Sequence, residues 1–382
     1  MNEPPDLVVL SHLRWPWVWQ RPHHLVSRLA RRRADAGART FFVEEPTTGD
    51  VAQPRLEHEE RDGVTRVWLV VPPSDKAAEV HGFDAGGGER YGEVLAALLA
   101  EHGRPPAPDV WVYTPAALDI ALELQPGRMV YDVMDDLASF RDAPEGLVLR
   151  QRRVLAQADV VFAGGRSLHR SVLAQGRADA HLFPSGVETA HYERSRALRA
   201  PHPRPVAGYV GVIDERLDLP LLTELAERLP DWTIRIVGPV VKIDPASLPQ
   251  AANLEYPGLT AYERLPEVMA GFDVTLMPFA LNEATRSISP TKTLEYLAAG
   301  LPVVSTRVPD VVADYTGVVH LADDGASFAA ACRHVVQHRA EERDRRLRPL
   351  QARHEWDAIA DRMAQLLEQS RAGALTGQEA TA

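Results

Sequence analysis

Asp273-Val274-Thr275-Leu276-Met277-Pro278-Phe279, then Thr291-Lys292-Thr293-Leu294-Glu295-Tyr296-Leu297-Ala298-Ala299-Gly300, then Leu301-Pro302-Val303-Val304-Ser305 decide the fold. Val274–Met277 and Pro302–Ser305 are short apolar runs of the kind found in strands buried on both faces. The stretch between them, 291–299, reads as a helix. Ser289 is a natural N-cap, Pro290 a natural first helical residue, and Gly300 a natural stop with Pro302 just beyond. Strand, helix, strand at this spacing is one unit of a parallel sheet.

The same rhythm extends in both directions. Apolar runs at Leu7–Leu10, Thr40–Val43, Val67–Val71, Val110–Tyr113, Met129–Tyr131 and Val160–Ala163 alternate with helical stretches at 22–33, 89–101, 115–123, 145–157 and 167–175. Residues 184–205 hold Pro184, Gly186, Pro201, Pro203 and Pro205 among charges, and read as a linker. Strands at Val206–Val212 and Thr233–Gly238 then restart the pattern, with helices predicted at 218–228, 261–270 and 324–339. The chain is therefore expected to be α/β, with two doubly wound parallel-sheet domains over 1–190 and 200–352. A helix over 353–371 carries an apolar stripe of Trp356, Ile359, Met363, Leu366 and Leu367. The last residues, 372–382, read as a disordered tail. Open α/β sheets bind ligands at the carboxyl ends of their strands, so two of them facing one another predict a cleft site.

The composition narrows the classes of function. Of 382 residues, 45% are hydrophobic and 25% charged, enough apolar content to build cores. A net charge of −11 disfavours a dedicated nucleic-acid binder, whose affinity comes mainly from neutralising phosphates. A single cysteine, Cys332, excludes a disulfide framework and a zinc-holding cysteine cluster. The opening Met1-Asn2-Glu3-Pro4-Pro5-Asp6 lacks the basic start and apolar run of a signal peptide, and no run of about 20 apolar residues occurs. A cytoplasmic protein is expected.

Lysine is rare: only Lys76, Lys242 and Lys292 occur. Lys292 falls near the third position of its predicted helix, where the dipole disfavours a cation by roughly 0.3–1 kcal/mol. An anion bound at that helix start removes the mismatch. The N–H groups of Thr291 and Lys292 with the ammonium would suit a diphosphate. Glu295, one turn on and on the same face, would suit the two hydroxyls of a ribose. The simpler reading is a surface helix with a Lys292–Glu295 ion pair.

Thr-Leu-Glu-Tyr-Leu-Ala-Ala-Gly-Leu-Pro-Val-Val, 293–304, resembles the nucleotide-sugar segment of GT-B glycosyltransferases, especially family 4. Phe183-Pro184-Ser185-Gly186-Val187-Glu188 is similar to the stretch that leaves the first domain in that family, and the Trp356 helix to the one that crosses back. Ser11-His12-Leu13-Arg14-Trp15, Gln20–Leu25 and Tyr131–Asp136 resemble a bacterial envelope-polysaccharide branch that includes the teichuronic-acid glycosyltransferases. The resemblance implies the GT-B architecture with two Rossmann-like domains. It implies a UDP-type sugar donor on the second domain, a saccharide or lipid-linked acceptor on the first, no metal and no cofactor. Lys292 would contact the diphosphate and Glu295 the ribose. Arg216 sits near the family's phosphate-binding basic residue, and Gly238 where the backbone passes close to the nucleotide. Family 4 also has a glutamate eight residues before Glu295; Ser287 stands there instead, which leaves donor sugar and stereochemistry open.

The expected acceptor wall lies in the first domain. Asp135 or Asp136, after a strand and facing the cleft, is the candidate general base; helix capping is the alternative. His12 at the end of the first strand, with Arg21 and His24 at the start of the first helix, are the candidate acceptor-binding residues; packing and solvation are their alternatives. Trp15, Trp17 and Trp19 alternate as in a half-buried extended loop. Arg28, Arg31, Arg32 and Arg33 form a basic cluster, read either as a solvated helix face or as a peripheral contact with the anionic inner membrane face. Lys242 follows a strand end and reaches toward the donor phosphates in one reading. A glycosyltransferase acting on an envelope or exopolysaccharide acceptor is the leading expectation. A UDP-sugar epimerase on the same fold and a non-catalytic sugar-binding module are the alternatives.

Overall fold

The computed structural model describes residues 4–73, 83, 88–102, 107–136, 145–288, 291–338, 350 and 352–379. Ser289, Pro290 and Lys76 lie outside them.

The first domain contains β1 (Leu7–Ser11), α1 (Arg21–Asp35), β2 (Thr40–Glu44), β3 (Thr47–Thr48), β4 (Arg55–Arg61), β5 (Val64–Val71), α2 (Gly88–His102), β6 (Asp109–Val112), α3 (Leu118–Glu123), β7 (Arg128–Val133), α4 (Glu145–Gln157), β8 (Val160–Ala163), α5 (Arg166–Ala174) and β9 (His181–Leu182). Its sheet runs β3-β5-β2-β1-β6-β7-β8-β9, with β4 paired to β5. All pairings are parallel except β4 with β5, an antiparallel hairpin. This hairpin departs from the expected all-parallel sheet. β4 reads Arg-Leu-Glu-His-Glu-Glu-Arg, and its charges protect an edge strand rather than fill a core.

After α6 (Thr189–Leu198), the second domain contains β10 (Val206–Val210), α7 (Leu219–Arg228), β11 (Thr233–Val237), β12 (Leu254–Gly258), α8 (Leu265–Ala270), β13 (Val274–Met277), α9 (Glu283–Arg286), α10 (Lys292–Ala298), β14 (Val303–Thr306), α11 (Pro309–Tyr315), β15 (His320–Ala322) and α12 (Gly325–Gln337). The sheet order is β12-β11-β10-β13-β14-β15. Both sheets reverse direction of strand addition beside their first strand, between β1 and β6 and between β10 and β13. These are the switch points where open α/β sheets leave a crevice.

The strands are buried on both faces, as their near-continuous apolarity demands. In β1, Leu7 and Val9 join the core under α1, while Val8 and Leu10 join the core on the opposite side of the sheet. The first of these cores is completed from the far end of the chain. Trp356, Ile359, Ala360, Met363 and Leu367 of α13 (Trp356–Glu379) pack with Leu25, Val26 and Leu29. The expected apolar stripe thus does cover the first domain. The helix is longer than expected, however, because its backbone stays helical through 372–379, where a disordered tail was predicted. That run has no proline to stop an existing helix, although Gly373 and Gly377 are poor helix formers.

The predicted linker 184–205 also holds regular structure. α6 packs on α8 and α10. Its Ser195 hydroxyl and the Arg199 guanidinium donate to the Ala299 carbonyl at 3.2 and 3.1 Å, and Arg196 Nε to that of Ala298 at 3.3 Å. They satisfy carbonyls left open at the end of α10.

The chain passes between domains twice, and the two passages pair. Val187 N–H donates to the His354 carbonyl at 2.7 Å, and Trp356 N–H to that of Val187 at 3.3 Å. Beside them Glu188 accepts from Arg28 Nη2 of α1 at 2.8 Å and from the Tyr262 hydroxyl of the second domain. Trp19 stacks on Tyr262 with ring centroids 5.6 Å apart. A second link joins α5 and α11. Gly165, at the N-cap of α5, has no side chain to cap it, and Asp310 of the second domain does so instead, accepting from Ser167 N–H at 3.0 Å and its hydroxyl at 2.6 Å.

The basic cluster on α1 is absorbed by neighbours. Arg28 also bonds Asp357 at 2.8 Å, Arg32 pairs with Asp361, and Arg33 with Asp109 at 2.9 Å. Arg31 donates to the Ser27 carbonyl. The face expected to meet anionic lipid is largely the seat of α13. No helix among the described residues is long and apolar enough to cross a membrane.

Trp356 is 1% exposed. Trp356→Ala should destabilise the protein by about 3–5 kcal/mol through lost burial and the cavity left behind. The check is a lowered urea midpoint followed by near-ultraviolet circular dichroism.

Candidate active site

A cavity of about 700 Å³ opens between the carboxyl ends of the two sheets. The second domain supplies Gly211, Arg216, Gly238, Thr291, Lys292 and Glu295 to its wall, and the first domain supplies the Trp15–Arg21 segment and Asp135. The five donor-side residues read from the sequence are therefore brought together, with one of the two candidate bases facing them.

α10 begins at Lys292, with Thr291 as its N-cap residue, so Lys292 opens the helix rather than occupying its third position. Burial pushes the ammonium below the ordinary lysine range; Glu295 opposes this, and Arg216 adds to it. Burial likewise raises Glu295, while Lys292 and Tyr192 pull it back. Each is the other's main charged support at this wall. Tyr209 presents its ring 5.9 Å from Lys292 Nζ, at the outer reach of a cation–π contact.

Two glycines make room for this arrangement. Gly211, at φ 153°, passes so close to Lys292 that a Cβ there would lie 2.0 Å from Cε. Gly238, at φ 149°, would place a Cβ 1.9 Å from the Gly211 carbonyl oxygen. The ends of β10 and β11 thus form a bare backbone floor beneath the ammonium. Gly211 was missed in the sequence, although a glycine ending an apolar strand signals close backbone approach. Arg216 is held at this wall by Asp214, its Nε lying 3.0 Å from both carboxylate oxygens and its Nη2 2.6 Å from Oδ2. Burial would lower the guanidinium, but Asp214 outweighs it and keeps Arg216 charged.

Across the cleft, Asp135 is raised to about 6. Burial is the main cause; Arg216 and Lys242 pull it down, and Asp214 and Asp136 push it up. These neighbours place Asp135 opposite the basic groups of the second domain, at a proton affinity suited to a base near neutrality. Asp136 follows it but does not line the cavity.

The three expected acceptor-binding residues fare differently. Arg21 lines the cavity, but its guanidinium is committed to a buried pair with Asp132 (Nε 3.0 and 3.1 Å, Nη2 2.9 Å) and to the Phe183 carbonyl at 2.7 Å. His24 does not line the cavity; it stacks on Trp356 with centroids 5.1 Å apart. Burial lowers it to about 3, against the pull of Glu188. Arg21 is thus engaged through its hydrogen bonds within the first domain and His24 through its ring face at the junction with α13, although His24 Nδ1 is buried with no hydrogen-bond partner. His12, at the end of β1, is lowered to about 4 by burial and by Lys242. Its Nδ1 is buried with no hydrogen-bond partner.

Breaking a buried ion pair by removing one partner typically costs about 3–5 kcal/mol. Arg21→Ala should lose that much, and the double variant Arg21→Ala/Asp132→Ala should recover part of it. A double-mutant cycle from urea denaturation reads the difference.

Residues 204–338 match the family described as glycosyl transferases group 1. Among curated proteins, TuaH of Bacillus subtilis (strain 168), assigned to teichuronic acid biosynthesis as a glycosyltransferase, is 28% identical over 226 residues, which cover 54% of this chain and 56% of TuaH. The match therefore spans about half the length of that relative. Among solved structures, HepE of Anabaena in complex with UDP and glucose superposes with a TM-score of 0.71 at 13% identity, covering 96% of this chain and 100% of that one. The UDP-forming α,α-trehalose-phosphate synthase of Burkholderia xenovorans in complex with glucose-6-phosphate gives 0.70 at 14% identity, covering 95% and 100%. The chain thus has the GT-B fold of these structures, and its residues 204–338 carry the match to the glycosyl transferases group 1 family.

Proposed function

We propose that the protein transfers a sugar from a nucleoside diphosphate, UDP, to a saccharide hydroxyl held against the first domain. The observation that carries this reading is the facing of Asp135 toward a cavity wall that holds Lys292, close against the bare backbone of Gly211, together with Glu295 and Gly238. A diphosphate fits that wall because it meets an ammonium, a guanidinium and backbone at close range. Glu295 suits the paired hydroxyls of a ribose. UDP in the HepE structure and the UDP-forming activity named for the Burkholderia protein support the choice of nucleotide.

In the reaction, Asp135 takes the proton of the acceptor hydroxyl as its oxygen bonds to the anomeric carbon. The bond from that carbon to the diphosphate breaks, and the charge leaving on the diphosphate is stabilised by Lys292 and Arg216. A base on the acceptor side, with Ser287 where family 4 has a glutamate, favours an inverting displacement. The similarity to TuaH supports an envelope-polysaccharide acceptor.

UDP at a hundredfold excess over its Kd should add about 2.7 kcal/mol of stability. Thermal melting should show this for UDP over GDP, dTDP and ADP. The shift should vanish in Lys292→Ala and in Gly211→Ala, whose new Cβ occupies the space of the ammonium stem. A melting temperature unmoved by all four nucleotides would overturn the donor site.

Removal of a general base typically costs about 10²–10⁴-fold in rate, so Asp135→Asn should lower kcat by that order while leaving the UDP shift in place. A base must be deprotonated to act. The wild-type kcat/KM for acceptor should therefore fall as pH drops through about 6, and that limb should disappear in the variant. Initial rates of UDP release across pH 5–8 measure it.

A further inference from the structure

With Arg21 and His24 committed elsewhere, the first-domain side of the cavity is built from other groups. It is lined by the Trp15–Arg21 segment and by Arg61 and Asp62 at the tip of the β4–β5 hairpin, an element the sequence pattern did not reveal. Trp15 is buried in the core, but Trp17, two residues on, is 48% exposed at the cavity. The hairpin tip is fixed by its turn. Asp62 at φ 52° and Gly63 at φ 80° both adopt the positive dihedral that tight hairpins require. Asp62 Oδ2 accepts from Trp15 Nε1 at 3.1 Å, which ties the tip to the tryptophan loop. The same oxygen lies 3.7 Å from Arg61 Nε, beyond hydrogen-bond range. Arg61 therefore stands half-exposed at the wall with a loose partner. Arg21 and the nearby Arg14, by contrast, are held by Asp132 and by Glu44.

We propose that Trp17 and Arg61 form the acceptor platform and select a sugar that carries an anionic group. The indole face offers apolar area to the C–H face of a pyranose ring. The guanidinium offers the planar fork that matches a carboxylate or a phosphate. Trp15 and Asp62 are positioning residues, since they hold the loop and the hairpin together. The proposal deepens the transferase reading and rests on it for the assignment of this wall to the acceptor.

The test uses the full chain saturated with UDP and three probes: glucose, glucuronate and glucose 6-phosphate. Dissociation constants come from ligand-observed saturation-transfer NMR. The anionic sugars should bind at least about tenfold more tightly than glucose, the gain expected of hydrogen bonds to a charged group. Arg61→Ala should bring both down to the level of glucose, and Trp17→Ala should weaken all three, with Trp17→Phe retaining most of the binding. UDP should stabilise every variant as it does the wild type, which also reports that they fold. Preference for glucuronate assigns a carboxylate, and preference for the phosphate ester assigns a phosphate. Equal binding of all three probes, or anionic binding untouched by Arg61→Ala, would overturn the platform. Absence of sugar binding in a chain still stabilised by UDP would overturn it as well while the donor site stands. Absence of UDP stabilisation too would overturn the transferase reading beneath it.

Discussion

Glu188 sits where the chain leaves the first domain, and its carboxylate holds Arg28 of that domain and Tyr262 of the other. The cleft depends on this junction. Asp135 and Lys292 line one cavity, yet the two belong to separate sheets with separate cores. Their facing is set by the paired passages at Val187 and His354, by the stack of Trp19 on Tyr262, and by Asp310 reaching over to α5. Burial raises Glu188, but Tyr262 and Arg28 outweigh it and hold the carboxyl below its ordinary range, so the anion that joins the domains persists into mildly acidic conditions.

The chain distributes its arginines by the same logic. An acidic protein with few lysines has used several buried guanidinium groups as internal fasteners, matched to carboxylates far away in sequence. Arg21 meets Asp132, Arg28 meets Glu188 and Asp357, and Arg33 meets Asp109. Planar forks suit such pairs because they bond a carboxylate at two points. Lys292 is the contrasting case. A compact ammonium on a flexible stem fits over the backbone of Gly211, where a guanidinium fork would need more room.

This division explains what could be read from the sequence. The βα rhythm was legible because doubly buried strands must be apolar and their helices carry caps, so the bounds of α4 and β8 agree with their expectation. The Lys292–Glu295 pair was legible because both residues lie on one short helix. The β4–β5 hairpin was not, since β4 is an edge strand whose charges mask its alternation. α6 was hidden among prolines that flank it rather than interrupt it. Arg21 and His24 looked like binding residues because the groups that occupy them, Asp132, Trp356 and Glu188, are more than a hundred positions away.

The reach of α13 and of Asp310 bears on how the protein is made. The sheet that emerges first from the ribosome lacks one wall of its core until Trp356 and Met363 have been synthesised, and α5 lacks its cap until Asp310 has followed. Chains are generally built N-terminal domain first, with domains folding as units. Here the domain begun first is the one completed last. Until that helix docks, an apolar face of the first domain stays uncovered, so completion of its core is tied to a segment that follows the second domain.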